Sequence, residues 1–303
     1  MRCIFMPLFV ALFVHCPATY GQTPDSASSK VLTVIIAEDV ASDVQRFLAE
    51  KKLPATGITD FGGKYSRRDV VEVILFHQAL RLGGFEGTIQ FSTQADIRRA
   101  LRKLSQGKYA AWATTLPDSL IEEEQNLLKS EPLVYDSNYY VGLYTTRENL
   151  QLLSPRTLSK LREYCVVSSN LWVADWKTLQ AMELPCLHSA DRWELILRML
   201  KKGRSQFTMA PFQNTPDMRF VTDEVTLFPV PGIKIALLGK RHWVTSGKHP
   251  YGSMTLSYLN KGLDILHSQG TVIKAYRESG TIQSTTDRWI VINKPNQKKP
   301  PQN

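Results

Sequence analysis

Apolar positions recur at helical spacing in two stretches of the chain that match each other. Residues 92–112 read STQADIRRALRKLSQGKYAAW, and residues 189–209 read SADRWELILRMLKKGRSQFTM. Aligned on Gly107 and Gly203, Ile97 falls on Trp193, Ala100 on Ile196, Leu101 on Leu197 and Leu104 on Leu200. Each copy reads as a serine N-cap, an apolar helix face, a glycine stop flanked by cations and a short strand. One α/β unit is built in two places, and two such lobes leave a cleft in which a ligand binds. The plainer reading is that α/β chains reuse cap, helix, glycine and strand without any deeper likeness.

The rest of the pattern fills in around these copies. Strands are predicted over 31–37, 88–91 and 109–114, and helices over 41–51 and 69–82. The second of these helices puts Val70, Val73, Ile74 and Leu80 on one face and stops at Gly83 and Gly84. A glycine-containing loop covers 57–64, and the acid-rich stretch 120–128 reads as a helix. Aromatic and β-forming residues over 131–144 predict a long strand leaving the first half. The second half alternates a helix over 154–161, a strand over 164–168, a helix over 174–182 and strands over 185–188 and 207–210. β-type residues over 220–230 and an apolar strand over 233–238 bring the chain back. Helices over 255–267 and 272–277 and a strand-like piece over 289–292 finish it, before a polar tail.

With 303 residues, 43% of them apolar, the chain supports about two domains. A net charge of +9 favours an anionic ligand, a nucleic acid or an anionic surface, although a solvated basic face explains it as simply. No zinc-finger spacing, RNA-recognition aromatic pattern or concentrated basic helix supports a nucleic-acid partner, and none is expected. Arg2 followed by an apolar run to Val14 and small residues at Ala18 and Gly21 reads as an export signal over 1–21, with a polar linker over 22–30. His15 before Cys16 fits a lipoprotein signal poorly. Cys165 and Cys186 then remain, either as a disulfide in an oxidising compartment or as two buried thiols.

Catalytic signatures are missing. The chain has no nucleophile elbow, phosphate loop, His-Glu-x-x-His or dinucleotide glycine fingerprint. His77, His188, His242, His249 and His267 are scattered, and two cysteines without clustered histidines make no zinc site, so neither a metal nor a cofactor is expected.

Three segments carry a family likeness. Arg98 to Thr115 matches a helix–L–x–x–G–strand–T–x–T pattern, Ser130 to Tyr135 (SEPLVY) an F-S-x-P-Y run, and Leu259 to Tyr276 a terminal helical motif around Gly270. In this order the chain resembles the extracellular solute-binding proteins of family 3, the type II periplasmic binding proteins for polar amino acids. The resemblance implies a two-lobed α/β fold with two crossing strands at the hinge. It assigns 31–138 and 240–285 to lobe 1, 139–239 to lobe 2 and 286–303 to a basic tail. It also implies a non-enzymatic, monomeric periplasmic protein that closes on a small solute for an ABC-type transporter or a sensor. The pocket would draw on Glu38, Asp39, Tyr65, Arg68, Trp112, Thr114 and Thr115 from lobe 1 and Ser168, Ser169, Asn170 and Gln213 from lobe 2. Two departures stand out. No arginine follows Thr114 and Thr115 to clamp a ligand carboxylate, though Arg67 or Arg68 would serve, and no aspartate follows the second-lobe strand to take an amine. Two other readings stay open: a dehydratase-like enzyme using Glu38 or Asp39, and a ligandless envelope scaffold.

Overall fold

The computed structural model describes residues 30–134, 139–150, 157–213, 215–222 and 224–293. The expected export signal, nearly all of the linker and the end of the tail lie outside them.

The first half is a parallel α/β unit. Strand β1 (Val31–Ala37) runs into helix α1 (Glu38–Lys51), and helix α2 (Arg68–Leu82) leads to β2 (Thr88–Gln94). Helix α3 (Ile97–Ser105) leads to β3 (Ala111–Pro117), the short helix α4 (Asp118–Ile121) and β4 (Leu127–Lys129). The chain then crosses on β5 (Tyr140–Thr146) into short helices α5 (Arg147–Leu150) and α6 (Leu158–Leu161). Next come β6 (Val166–Ser168), α7 (Val173–Ala181), β7 (Leu187–Ser189), α8 (Trp193–Lys201) and β8 (Thr208–Ala210). Strands β9 (Phe220–Val221) and β10 (Thr226–Pro229) form a hairpin before β11 (Ile233–Ala236) and β12 (Arg241–Ser246). Helices α9 (Gly252–Ser268) and α10 (Thr271–Glu278) and strand β13 (Ile290–Val291) end the described chain.

The strands form two main sheets, in a mixed α/β architecture of two lobes. The first has the order β2-β1-β3-β12-β4, with β12 antiparallel to both β3 and β4. The second runs β13-β11-β5-β10-β9, with β8 also paired to β5. The β6–β7 pair joins it where the Val167 N–H donates to the Phe207 carbonyl at 2.9 Å. The antiparallel strands β5 and β11, in register at Val141 and Ile235, are the two passes between lobes. The Leu237 N–H donating to Tyr139 O at 2.9 Å extends that pairing to the point of crossing.

The repeat is visible in the packing. Ala100, Leu101 and Leu104 of α3 share an apolar cluster with Ile35, Trp112 and Val244, while Ile196, Leu197 and Leu200 of α8 share one with Tyr144, Val167 and Leu227. Both helices end with a left-handed glycine, Gly107 at φ 85° and Gly203 at φ 66°. Each has the same paired closing bonds: Gly107 N to Leu104 O and Lys108 N to Lys103 O, and Gly203 N to Leu200 O and Arg204 N to Met199 O. A residue with a Cβ resists that backbone, so the glycine fixes both the helix end and the entry to the strand.

The sequence pattern differs from the structure in places. Ser92 and Ser189 lie in strands and cap nothing; the Asp96 carboxylate caps α3 by accepting from the Arg99 N–H at 2.8 Å, and α8 has no side-chain cap. The helix expected over 120–128 is only the short α4, which stops at Ile121; the chain then turns at Asn126, φ 59°, into Leu127–Lys129, an edge strand on β12. Helix α1 starts at Glu38, so the acids expected in the pocket occupy its first turn, where they complement the helix dipole. The long strand expected from 131 begins at Tyr140; 135–138 lie outside the described residues, as does the start of the helix expected at 154. Strand β12, unforeseen, is buried along nearly its whole length. The strand-like piece expected over 289–292 is β13, which pairs parallel with β11, so the folded chain runs into the range assigned to the basic tail. Cys165 and Cys186 are joined as a disulfide with Cα atoms 4.6 Å apart, tying the starts of β6 and β7. No described helix is long and apolar enough to cross a membrane.

Candidate functional site

The ends of several strands and the starts of four helices converge on a cavity of about 500 Å³ between the lobes. The first lobe contributes Arg68 from the start of α2, Ile97 and Arg98 from the start of α3, Leu116 and Pro117 from the end of β3, and Arg241 from the start of β12. Tyr139, Val141 and Leu237 of the crossing strands form the back. The second lobe contributes Leu171 to Asp175 at the start of α7, Trp193 at the start of α8, the end of β8 and Phe220. The equivalent positions of the two repeats, Ile97 and Trp193, therefore both line it.

Beneath the first-lobe wall is a buried ion network. Glu72 of α2 is fully buried and accepts from the Thr115 N–H at 2.9 Å, the Thr115 hydroxyl at 2.7 Å and the Tyr276 hydroxyl at 2.9 Å. Arg68, one turn earlier, lies 3.7 Å from Glu72 and donates twice to Asp69, at 3.0 and 2.6 Å. Burial works against the Arg68 charge, but Asp69, Tyr139 and Glu72 outweigh it and hold its pKa well above the ordinary arginine value. Burial also opposes ionisation of Asp69, and the guanidiniums of Arg68, Arg67 and Arg241 overcome it, leaving its pKa lowered. Tyr276 is pushed well up by burial and by Glu72, so it stays a neutral donor.

Arg241 is held differently. Its Nε donates to the Thr115 hydroxyl at 2.9 Å and its Nη2 to the Thr115 carbonyl at 2.6 Å. Among the described residues no carboxylate reaches it within 4.0 Å. Burial and repulsion from Arg68 lower its pKa against the pull of Glu72, Tyr139 and Asp69. Across the cavity, burial raises the Asp175 carboxyl to about 6, with Arg68 and Arg241 pulling it down only partly. Among the described residues Asp175 makes no hydrogen bond or ion pair.

Of the eleven residues expected in the pocket, Arg68 lines this cavity and the other ten do not. Glu38 and Asp39 are exposed on α1, where Asp39 accepts from Arg67 at 2.7 Å. Tyr65 packs against the main core, with Arg46 and Lys64 over its ring. Trp112 is buried under α3 and donates to the Thr114 hydroxyl at 2.7 Å, while Thr115 supports Arg241 from below. Ser168 and Ser169 are buried, the latter accepting from the Leu171 N–H at 3.2 Å. Asn170 lies at a separate surface hollow beside Arg198 and Lys202. Gln213 donates to the Pro211 carbonyl at 2.9 Å and its own carbonyl accepts from Gln283. The structure thus brings Arg68, Thr115 and Arg241 together around Glu72, and the sequence reading missed Arg241, Asp175, Trp172, Trp193 and Phe220. The signal for Arg241 was present: Gly239 and Gly247 bracket the β-forming run Trp243-Val244-Thr245. The one His/Cys/Asp/Glu cluster among the described residues tight enough for a metal is Cys165, Cys186 and His188, and its two thiols are spent in the disulfide.

No protein-family model and no curated protein sequence matches the chain. Solved structures do match in shape. The substrate binding domain 2 of GlnP from Lactococcus lactis, in its open conformation, superposes with a TM-score of 0.52 at 12% identity, covering 86% of this chain and 99% of that one. The probable amino-acid ABC transporter extracellular-binding protein ytmK from Bacillus subtilis gives 0.54 at 15% identity, covering 84% and 99%. The periplasmic VFT2 domain of BvgS from Bordetella pertussis gives 0.50 at 14%, covering 82% and 93%. With its two sheets, two crossing strands and cleft between them, the chain has the fold of the two-lobed type II periplasmic binding proteins.

Proposed function

We propose that the protein is an exported, monomeric solute-binding protein, not an enzyme, that closes its lobes on a small anionic or polar solute. It would hand the solute to an ABC-type membrane transporter or report it to a sensor. The lobes would divide at 138/139 and 239/240, so that β5 and β11 act as the hinge. The observation that carries this reading is Arg241: a half-buried guanidinium, fixed by two bonds to Thr115, with no carboxylate partner among the described residues, facing a cavity between lobes. Such a group attracts an anion that it can hold through charge-assisted hydrogen bonds. The shapes of the GlnP and ytmK binding proteins support the same use of the cleft.

Thermal-shift and calorimetric screening of the protein with amino acids, amines and small organic acids tests this. A solute at a hundred times its dissociation constant adds about 2.7 kcal/mol of stability. Replacing Arg241→Met is expected to weaken binding about a hundredfold or more while leaving the fold intact. Absence of stabilisation by every compound at millimolar concentration counts against capture.

A further inference from the structure

The second lobe carries a cluster that solute capture does not use. Cys165 and Cys186 stand just before β6 and β7, which pair in parallel with Val166 opposite Leu187 and Val167 opposite His188. Side chains two apart on a strand share a face, so His188 stands on the same side of β7 as Cys186. The strand register therefore gathers Cys165, Cys186 and His188, whose ligand atoms all lie within 4.8 Å of one another. All three are half-buried, so an ion from solvent can reach them.

The histidine is already set for coordination. Its Nε2 lies 3.6 Å from Cys186 Sγ, and its Nδ1 lies 2.8 Å from the hydroxyl of the fully buried Ser205. With Nδ1–H donating to Ser205, the Nε2 lone pair points at the sulfur, which is how an outer partner sets the tautomer of a metal-ligating histidine. Sulfur at about 2.3 Å and nitrogen at about 2.0–2.1 Å from a tetrahedral zinc ion stand about 3.6 Å apart. The backbone under the donors has bonds of its own. The Val166 N–H donates to the Cys186 carbonyl at 2.9 Å, the Cys165 N–H to the Gln206 side chain at 2.9 Å, and the Gln206 N–H to the Cys165 carbonyl at 2.8 Å. Freed sulfurs held on this frame part to van der Waals contact, close to the ~3.8 Å that two thiolates span on one zinc ion.

We propose that reduction of this disulfide opens a zinc site. A small dithiol breaks the Cys165–Cys186 bond, gives up two electrons and its two thiol protons to the two protein sulfurs, and leaves as its own disulfide. A zinc ion then displaces both new thiol protons into water and is held by Cys165 Sγ, Cys186 Sγ and His188 Nε2, with water as the fourth ligand. Ser205 is the positioning residue that orients the ring. The covalent tie between β6 and β7 is exchanged for a coordinate one, so the second lobe keeps its clamp when reduced.

The test reduces the whole chain with a dithiol, removes the dithiol without oxygen, and titrates with Zn²⁺, using Co²⁺ as a spectroscopic probe. One ion per chain is expected to bind at least about a hundredfold more tightly than to the oxidised protein, with a thiolate-to-cobalt charge-transfer band and a raised melting temperature. Ser205→Ala is expected to weaken zinc about tenfold, and His188→Ala by more, with the melting of both oxidised variants close to that of the parent. Equal zinc affinity in the reduced and oxidised states, or a cobalt complex without the thiolate band, overturns the site. Unchanged affinity in His188→Ala overturns the three-ligand assignment. Should reduction alone unfold the second lobe, recovery of the native circular dichroism on adding zinc supports the proposal, and failure to recover it overturns it.

Discussion

Helices α3 and α8 finish in the same way and begin in different ways. Both stop on a left-handed glycine with matching backbone bonds, and both press three aliphatic residues into a cluster of their own. At their other ends, α3 is capped by Asp96 and presents Ile97 and Arg98 to the cavity, whereas α8 has no side-chain cap and presents Trp193. The same division holds for the lobes as wholes. The first brings guanidiniums supported by buried carboxylates; the second brings rings and a single acid. A repeated scaffold fixes where the helix starts stand, and the residues placed there set the chemistry that each wall presents to the cavity.

The sharpest way to break this contrast is to remove the support under the first-lobe wall. Glu72→Ala leaves the Thr115 amide and hydroxyl and the Tyr276 hydroxyl without their acceptor and Arg68 short of one anion. It is expected to cost about 3–5 kcal/mol, read by denaturant titration; a loss below about 1 kcal/mol would show that the network is not structural. In the second lobe the covalent tie matters more. Cys165→Ser with Cys186→Ser opens a loop of sequence separation 21 and is expected to cost about 3 kcal/mol. Hydrogen exchange should then quicken in β6, β7 and α7 and stay slow in α2; uniform quickening would mean that the lobes unfold as one unit.

A smaller effect isolates the lone acid. Asp175 holds its proton more tightly when folded, with its pKa raised from 3.8 to about 6, so the folded state binds more protons than the unfolded state within that window. Stability therefore falls as pH rises from 3.8 to about 6 and levels off above it. Asp175→Asn removes this slope and, because the site is half-buried, should be ~1 kcal/mol more stable than the parent above pH 6 but equal to it near pH 4. Melting curves at the two pH values decide it. Smallest of all, Ser168→Ala removes a buried hydroxyl that has no hydrogen-bond partner and should change stability by less than about 1 kcal/mol.

Much of the fold could be read from the chain because its periodicities are strong. The repeat, the glycine stops and the two crossings follow from where apolar residues recur and where glycine interrupts them; α2, expected to bury one face, is instead buried on all sides over nearly all of Val70–Leu80. Strand β12 was missed for a physical reason. It sits between β3 and β4, is covered on both faces, and so shows none of the alternation that marks a half-buried strand. Arg241 went with it. Asp175 was invisible for another reason: an acid in the first turn of a helix reads as a partner for the helix dipole, and only the meeting of two lobes gives it a cavity to face. Thr115 and Arg68 are expected as ligand contacts, and the structure shows them bonded to other side chains, a distinction that needs distances.

The two bonds from Arg241 to Thr115 run between neighbouring strands of one sheet. The guanidinium is therefore aimed before a solute arrives, and little freedom is lost when an anion lands on it. On the proposed reading, encounter and enclosure are separate events. A solute docks head first on a stationary wall, and the aromatic wall, which makes no such prior commitment, swings over to judge the remainder.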